Sequence, residues 1–243
     1  MSPNSRARVI KSSSAYALGL FILCLSVACS NLPRDPKETL RSVQTRPLRV
    51  GLVEHAPWVV RTTGEPAGVE VDLVRQFAGS LGTTPEWHWG GEQEQLEALQ
   101  DYQLDLVIGG FTDRTPWRKY VGLTSAYFTE TYRVGVQGPP PLESVKGAQV
   151  AILRGEPAAA ELEQKGAVVV RVDDLSQVTG AVAAPDWQLE QLGRTGTNIE
   201  LDSVKHVFAV PPGENGFLKR LDEFLYGKTG DIKGRLQQQV SMK

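Results

Sequence analysis

From residue 48 onward the chain alternates short apolar runs with longer segments whose apolar residues recur every three or four positions, and after a proline-rich break it does so again. "LRVGLVE" (48–54) has strand length and character, and "VEVDLVRQFAGSLG" places Val71, Val74, Phe77, Ala78 and Leu81 on one helical face with Gly82 as a stop. "EWHWG" (86–90), "EQEQLEALQDY" with Leu96 and Leu99, and "LDLVIGG" (104–110) continue as strand, helix and buried strand. Strands alternating with helices at this spacing predict a parallel α/β sheet.

"YRVGVQGPPP" (132–141) breaks the rhythm and reads as a crossing between two lobes. The pattern then restarts. "AQVAIL" is a strand, Gly155 a turn, and "PAAAELEQKG" a helix that opens on Pro157 and stops at Gly166. "AVVVRV" (167–172) and "GAVAA" (180–184) are strands. "HVFAVPPGENGFLKRLDEFLYG" adds a strand and a helix striped by Phe217, Leu218, Leu221, Phe224 and Leu225, and a last helix carries Ile232, Leu236 and Val240; both return to the first lobe. Two α/β lobes joined by two crossings enclose a cleft, where small ligands bind.

The residues before 48 are of another kind. Arg6, Arg8 and Lys11 precede a run from Ala15 to Ala28 that is almost free of charge and too short to span a bilayer, as in a secretory signal over 1–28. It ends in "LSVACS", which resembles a bacterial lipobox with Ser26 where Leu is usual, so that Cys29 is the expected site of lipid attachment. Residues 29–47 then form the anchor and a polar, proline-punctuated tether. Loss of the signal removes three basic residues and no acid from a chain whose formal charge is −2, which disfavours nucleic acid as a partner. Of the two cysteines, Cys24 leaves with the signal and Cys29 takes lipid, so no thiol is left for a disulfide or a thiolate metal site.

The ordered segments "LRVGLVEHAPWV", "GEPAGVEVDLVRQFAGSLG", "LDLVIGGFTDRTPWRKYVGLTSAYF", "VKGAQVAILRGEP", "VAAPDWQL" and "FAVPPGENGFLKRLDEFL", over about 47–228, resemble the bacterial extracellular solute-binding proteins of family 3. The resemblance implies a two-lobed type II periplasmic-binding-protein fold, with lobe 1 over 48–135 plus 208–243 and lobe 2 over 136–207. The hinge strands would lie near 132–137 and 206–211. The second lobe is expected to be shortened, because only "SQVT" stands between "VDDL" and "GAVAA" where such receptors have a helix and turn.

The same resemblance implies the site. Trp58 holds the place of the aromatic that stacks on the ligand, and Gly110 and Thr112 would offer a backbone N–H and a hydroxyl at a strand end. The arginine that grips an amino acid's carboxylate falls, by position, on Trp117; Arg118, one residue late, or Arg114 in the turn would have to replace it, or neither does. Glu156 opens a helix where receptors have Thr or Ser, which disfavours a ligand carboxylate and favours a cation unless the side chain merely caps the helix towards solvent. Asp186 stands near the position that pairs with an α-amino group, and equally suits a helix cap. Glu70 and Asp72 are read as helix-start acids, and His55 as a surface residue.

The expected function is therefore that of a lipid-anchored extracytoplasmic binding protein, taking a small amino acid or amine-like solute to an ABC transporter permease as a monomer, with no cofactor or metal. A sensor or interaction module on the same fold is the alternative. A dehydratase and a murein lyase family borrow the fold, but the sequence shows no acid–base pair, nucleophilic triad, metal cluster or phosphate loop at motif spacing, so no enzymatic activity is expected.

Overall fold

The computed structural model describes residues 35–138, 142–156 and 158–240. The signal, Cys29, residues 30–34, residues 139–141 and Pro157 lie outside the described residues; residues 35–47, expected to be tether, instead pack on the first lobe, with Val43 fully buried in its core.

A short helix, α1 (Thr39–Ser42), precedes β1 (Leu48–Leu52), whose Leu48, Val50 and Leu52 are fully buried. The predicted helix is α2 (Val69–Ser80): its apolar stripe packs on the sheet, and Gly82 at φ 75 follows its end in a conformation that side chains with a Cβ resist. Next come β2 (Pro85–Trp89), α3 (Glu92–Gln100) and β3 (Leu106–Ile108), then a 3₁₀ turn at Pro116–Lys119 and β4 (Gly122–Leu123). β5 (Phe128–Val136) leads to β6 (Gln149–Leu153), α4 (Ala158–Gln164), β7 (Val168–Val172), β8 (Ala181–Pro185), α5 (Asp186–Gln191) and β9 (Thr195–His206). The chain closes with β10 (Ala209–Val210), α6 (Asn215–Tyr226) and α7 (Ile232–Val240).

These strands form two five-stranded sheets, β2-β1-β3-β10-β4 and β7-β6-β8-β5-β9. Both are mixed, which corrects the expectation of a purely parallel sheet. β1 lies parallel to β2 and β3, and β6 parallel to β7 and β8, but β10 and β5 run against their neighbours. The physical reason is the lobe crossing: β5 carries the chain out and β9 brings it back, so the two pair antiparallel from Phe128↔His206 to Val136↔Thr195. Of the segment read as a crossing at 132–141, residues 132–136 are the end of β5, an interior strand of the second sheet, and the chain passes between sheets near 124–127 and 207–208.

The first lobe packs Val71, Val74 and Phe77 of α2 against Phe217 and Leu221 of α6, with the Phe77 and Phe217 rings 5.8 Å apart edge to face. The second is built on Tyr132, Val134, Val150, Ile152 and Leu162. No helix separates β7 from β8, so the lobe is trimmed where the sequence suggested, and Val168 and Val170 on the β7 edge are 51% and 40% exposed. Helix α7 buries Ile232 and Leu236 in the first lobe's core while Lys233 and Gln237 reach Glu190 of α5, at 2.5 and 2.7 Å.

Candidate functional site

The sequence stations small, polar and aromatic groups at the ends of β1, β3, β5 and β9, and the fold brings these ends to a cavity of about 530 Å³ between the lobes. Trp58, Gly110 and Thr112 line it from the first lobe, and Glu130, Tyr132, Glu156 and Trp187 from the second. His206, at the end of β9, completes the floor.

Gly110 is required by close approach. It sits at φ 68, and a Cβ there would come within 2.5 Å of His55 Nδ1 and 2.7 Å of Trp58 Cδ1. Its N–H, expected to serve the ligand, instead donates to Glu70 Oε2 at 3.0 Å, alongside the Gly109 N–H at 2.8 Å. Glu70 also accepts the Tyr127 hydroxyl at 2.5 Å, so it is a wholly buried carboxylate with three donors rather than a helix-start acid alone. Burial raises its pKa above the ordinary value, against the pull of Tyr127 and Gly110.

Trp58 is 3% exposed and stacks on His206, with ring centroids 4.0 Å apart, so one indole face is covered by imidazole. Thr112 pairs across to His206 through an isolated backbone bridge, and its hydroxyl accepts from Arg114 N at 3.3 Å.

The second lobe contributes a hydrogen-bonded group that the sequence did not announce. Glu130, 6% exposed, accepts from Trp187 Nε1 at 2.7 Å, lies 3.2 Å from His206 Nε2, and receives the Tyr132 hydroxyl at 3.4 Å. The same hydroxyl donates to Glu156 Oε2 at 2.5 Å. Burial, then the charges of Glu130 and Glu156, push the Tyr132 phenol far above its ordinary value, so it stays a donor. Burial likewise raises Glu156; the Tyr132 hydroxyl opposes the rise and the Glu130 charge adds to it. Glu130 and His206 form an acid–histidine pair across 76 residues, which no local spacing displays.

Two expected ligand residues are not brought to the cavity. Arg118 lies on the 3₁₀ turn, exposed and absent from the lining, because Pro116 and the Thr115 cap coil a segment that counting by position treats as extended. Asp186 sits beside the lining residues Pro185 and Trp187, but its carboxylate is 2.9 Å from Arg133 Nε and pairs with it. Arg114, the other anchor considered, forms a two-pronged ion pair with Asp202. His55, read as surface, lines the cavity with Nδ1 3.0 Å from the Gly109 carbonyl. Among the described residues no group of three or more metal-ligating side chains occurs.

The model of the bacterial extracellular solute-binding proteins, family 3, matches residues 48–232. The chain belongs to that family. An ancestral cationic amino acid solute-binding protein shares its fold with a TM-score of 0.68 at 20% identity, covering 83% of this chain and 98% of that one. The ligand-binding core named GluR0, solved with L-glutamate, does so with a TM-score of 0.57 at 21% identity, covering 79% and 98%. These family 3 likenesses establish the fold.

A curated relative from Maricaulis maris, 30% identical over 153 residues covering 59% of this chain and 33% of its own length, is named membrane-bound lytic murein transglycosylase F. Relatives from two Vibrio species and from Actinobacillus succinogenes carry the same name. The expectation that the chain is not an enzyme is thereby corrected: its curated relatives are named as an enzyme, a link that motif spacing within this chain does not reveal. The chain spans about a third of the length of the curated relatives it matches. No described helix is long and apolar enough to cross a membrane.

Proposed function

We propose that this family 3 domain is an extracytoplasmic binding protein that takes a small polar solute, amino acid or amine-like, into the cleft between its lobes and delivers it as a monomer to an ABC transporter permease. In this reading Cys29 carries the lipid that holds it at the membrane, 1–28 is removed, and the tether runs from 29 to the residues at 35–47 that pack on the first lobe. The observation that carries the proposal is the cavity itself: both lobes line it, it has the size usual for small-molecule sites, and aromatic faces alternate in it with a few aimed polar groups.

Intrinsic tryptophan fluorescence tests it, since Trp58 and Trp187 both line the cavity. A saturable shift with one compound from a pooled metabolite library is expected; silence across the library would favour the interaction-module alternative. For the anchor, metabolic labelling with a fatty acid should mark the wild type and not Cys29→Ala.

A second reading rests on the names of the curated relatives: the same cleft serves within a murein-acting envelope protein, informing or feeding its chemistry. Digestion of purified murein by the isolated chain, or by the longer protein if one encloses it, would favour this reading over transport.

A further inference from the structure

We propose that the cleft selects a small organic cation that carries no carboxylate, an amine or guanidine such as remains when a basic amino acid loses its α-carboxylate. This rests on the solute-binding reading above and narrows it to a ligand class.

The first line of argument is what the protein has done with its own anion receptors. The paired N–H groups of Gly109 and Gly110 are occupied by Glu70 at 2.8 and 3.0 Å. Arg114 is committed to Asp202, and Arg133 to Asp186 and Glu200. Arg118 is outside the lining. Among the described lining residues there is one arginine, Arg154, and no lysine; Arg154 is mostly exposed at the rim and pairs with Asp173 at 2.8 Å. A ligand carboxylate entering here meets no uncommitted guanidinium or ammonium among the described lining residues.

The second is the state of the acids. Glu130 and Glu156 both line the cavity and both take the hydroxyl of Tyr132, at 3.4 and 2.5 Å. A phenol has one proton to donate, whereas each carboxylate offers about four acceptor sites. Glu130 is also supplied by Trp187 Nε1 at 2.7 Å and lies 3.2 Å from His206 Nε2, but Glu156 draws, among the described residues, on the shared hydroxyl alone, so two neighbouring carboxylates leave acceptor capacity open on the cavity wall. An ammonium or guanidinium supplies both the missing protons and the missing charge, and its attraction to the indole of Trp187 or Trp58 adds to the selection. A ligand carboxylate would be a third negative group beside two others, where like charges are least screened.

Matched pairs that differ by the carboxylate alone test this: agmatine against L-arginine and cadaverine against L-lysine, titrated calorimetrically into the full chain. The decarboxylated member of at least one pair should bind ten-fold or more tightly than its amino acid. Glu130→Gln and Glu156→Gln should each weaken that binding ten-fold or more while keeping the circular-dichroism spectrum of the wild type. An amino acid that binds as well as or better than its amine overturns the inference and leaves the solute-binding reading standing. So does a library hit that is an anion or a zwitterion, whereas a library hit that is another carboxylate-free cation supports it. Absence of any saturable ligand among the four probes and the library overturns both.

Discussion

The two lobes use their buried acids in opposite ways. In the first, every buried carboxylate is matched by donors of its own: Glu70 by two backbone N–H groups and Tyr127, Asp105 by Arg46 and Arg49 at 2.6 and 2.7 Å, and Glu214 by the Lys37 and Thr39 amides at 2.7 and 2.9 Å. In the second, Glu130 takes Trp187 Nε1 at 2.7 Å and lies 3.2 Å from His206 Nε2, whereas Glu156 at the cavity wall has, among the described residues, only a share of the Tyr132 hydroxyl. The first arrangement fastens loops to strands far apart in sequence; the second leaves acceptor capacity facing a space a solute can enter. Satisfaction of hydrogen bonds thus separates the acids that hold this fold from Glu156, whose remaining acceptor capacity is available to a ligand.

The largest effect should come from Asp105→Ala, which removes a carboxylate whose side chain is 1% exposed and leaves the two guanidinium groups paired with it without their partner. A loss of about 3 kcal/mol is expected in urea unfolding. Glu130→Gln, which keeps an acceptor for Trp187, should cost about 1 kcal/mol or less; an equal loss in both would erase the contrast between the lobes.

Acid and base titration should sharpen it. Burial alone would raise the Asp105 carboxyl, but Arg46 and Arg49 outweigh it and hold the group below 3.8, so its contribution is present above that value and is lost as pH falls through the depressed one. Glu156 is raised above 4.5, so its contribution is present below that value and is lost as pH rises through the raised one. In thermal melts from pH 3 to 7, Glu156→Gln should therefore gain on the wild type with rising pH, while Asp105→Asn should fall further behind. The smallest effect is expected for Val170→Thr on the trimmed lobe's open edge, within about 0.5 kcal/mol of the wild type.

What the sequence made legible follows the same division. The elements around β1, α2 and β3 declare themselves because burial on one face imposes a period, and Trp58, Gly110, Thr112 and Glu156 follow from the family resemblance and do face the cavity. The Glu130 group stayed hidden for two reasons. Its strand was read as a crossing, so the inward alternation of Glu130, Tyr132 and Val134 was not weighed, although an acid at an inward position between apolar residues was the available signal. Its partner His206 comes from the return strand beside it in the same sheet, and pairing between residues 76 positions apart depends on tertiary register rather than on local spacing. Arg118 was misplaced for a local reason, the coiling of Pro116–Lys119.

Helix α7 has a mechanical consequence. Rooted in the first lobe by Ile232 and Leu236 and held to α5 of the second through Glu190, it gives the lobes an attachment beyond the two chain crossings and the Arg114–Asp202 pair. Rotation of one lobe against the other must either release Lys233 and Gln237 or drag the helix along, so the degrees of freedom of the cleft and the position of the chain's final helix are geared together.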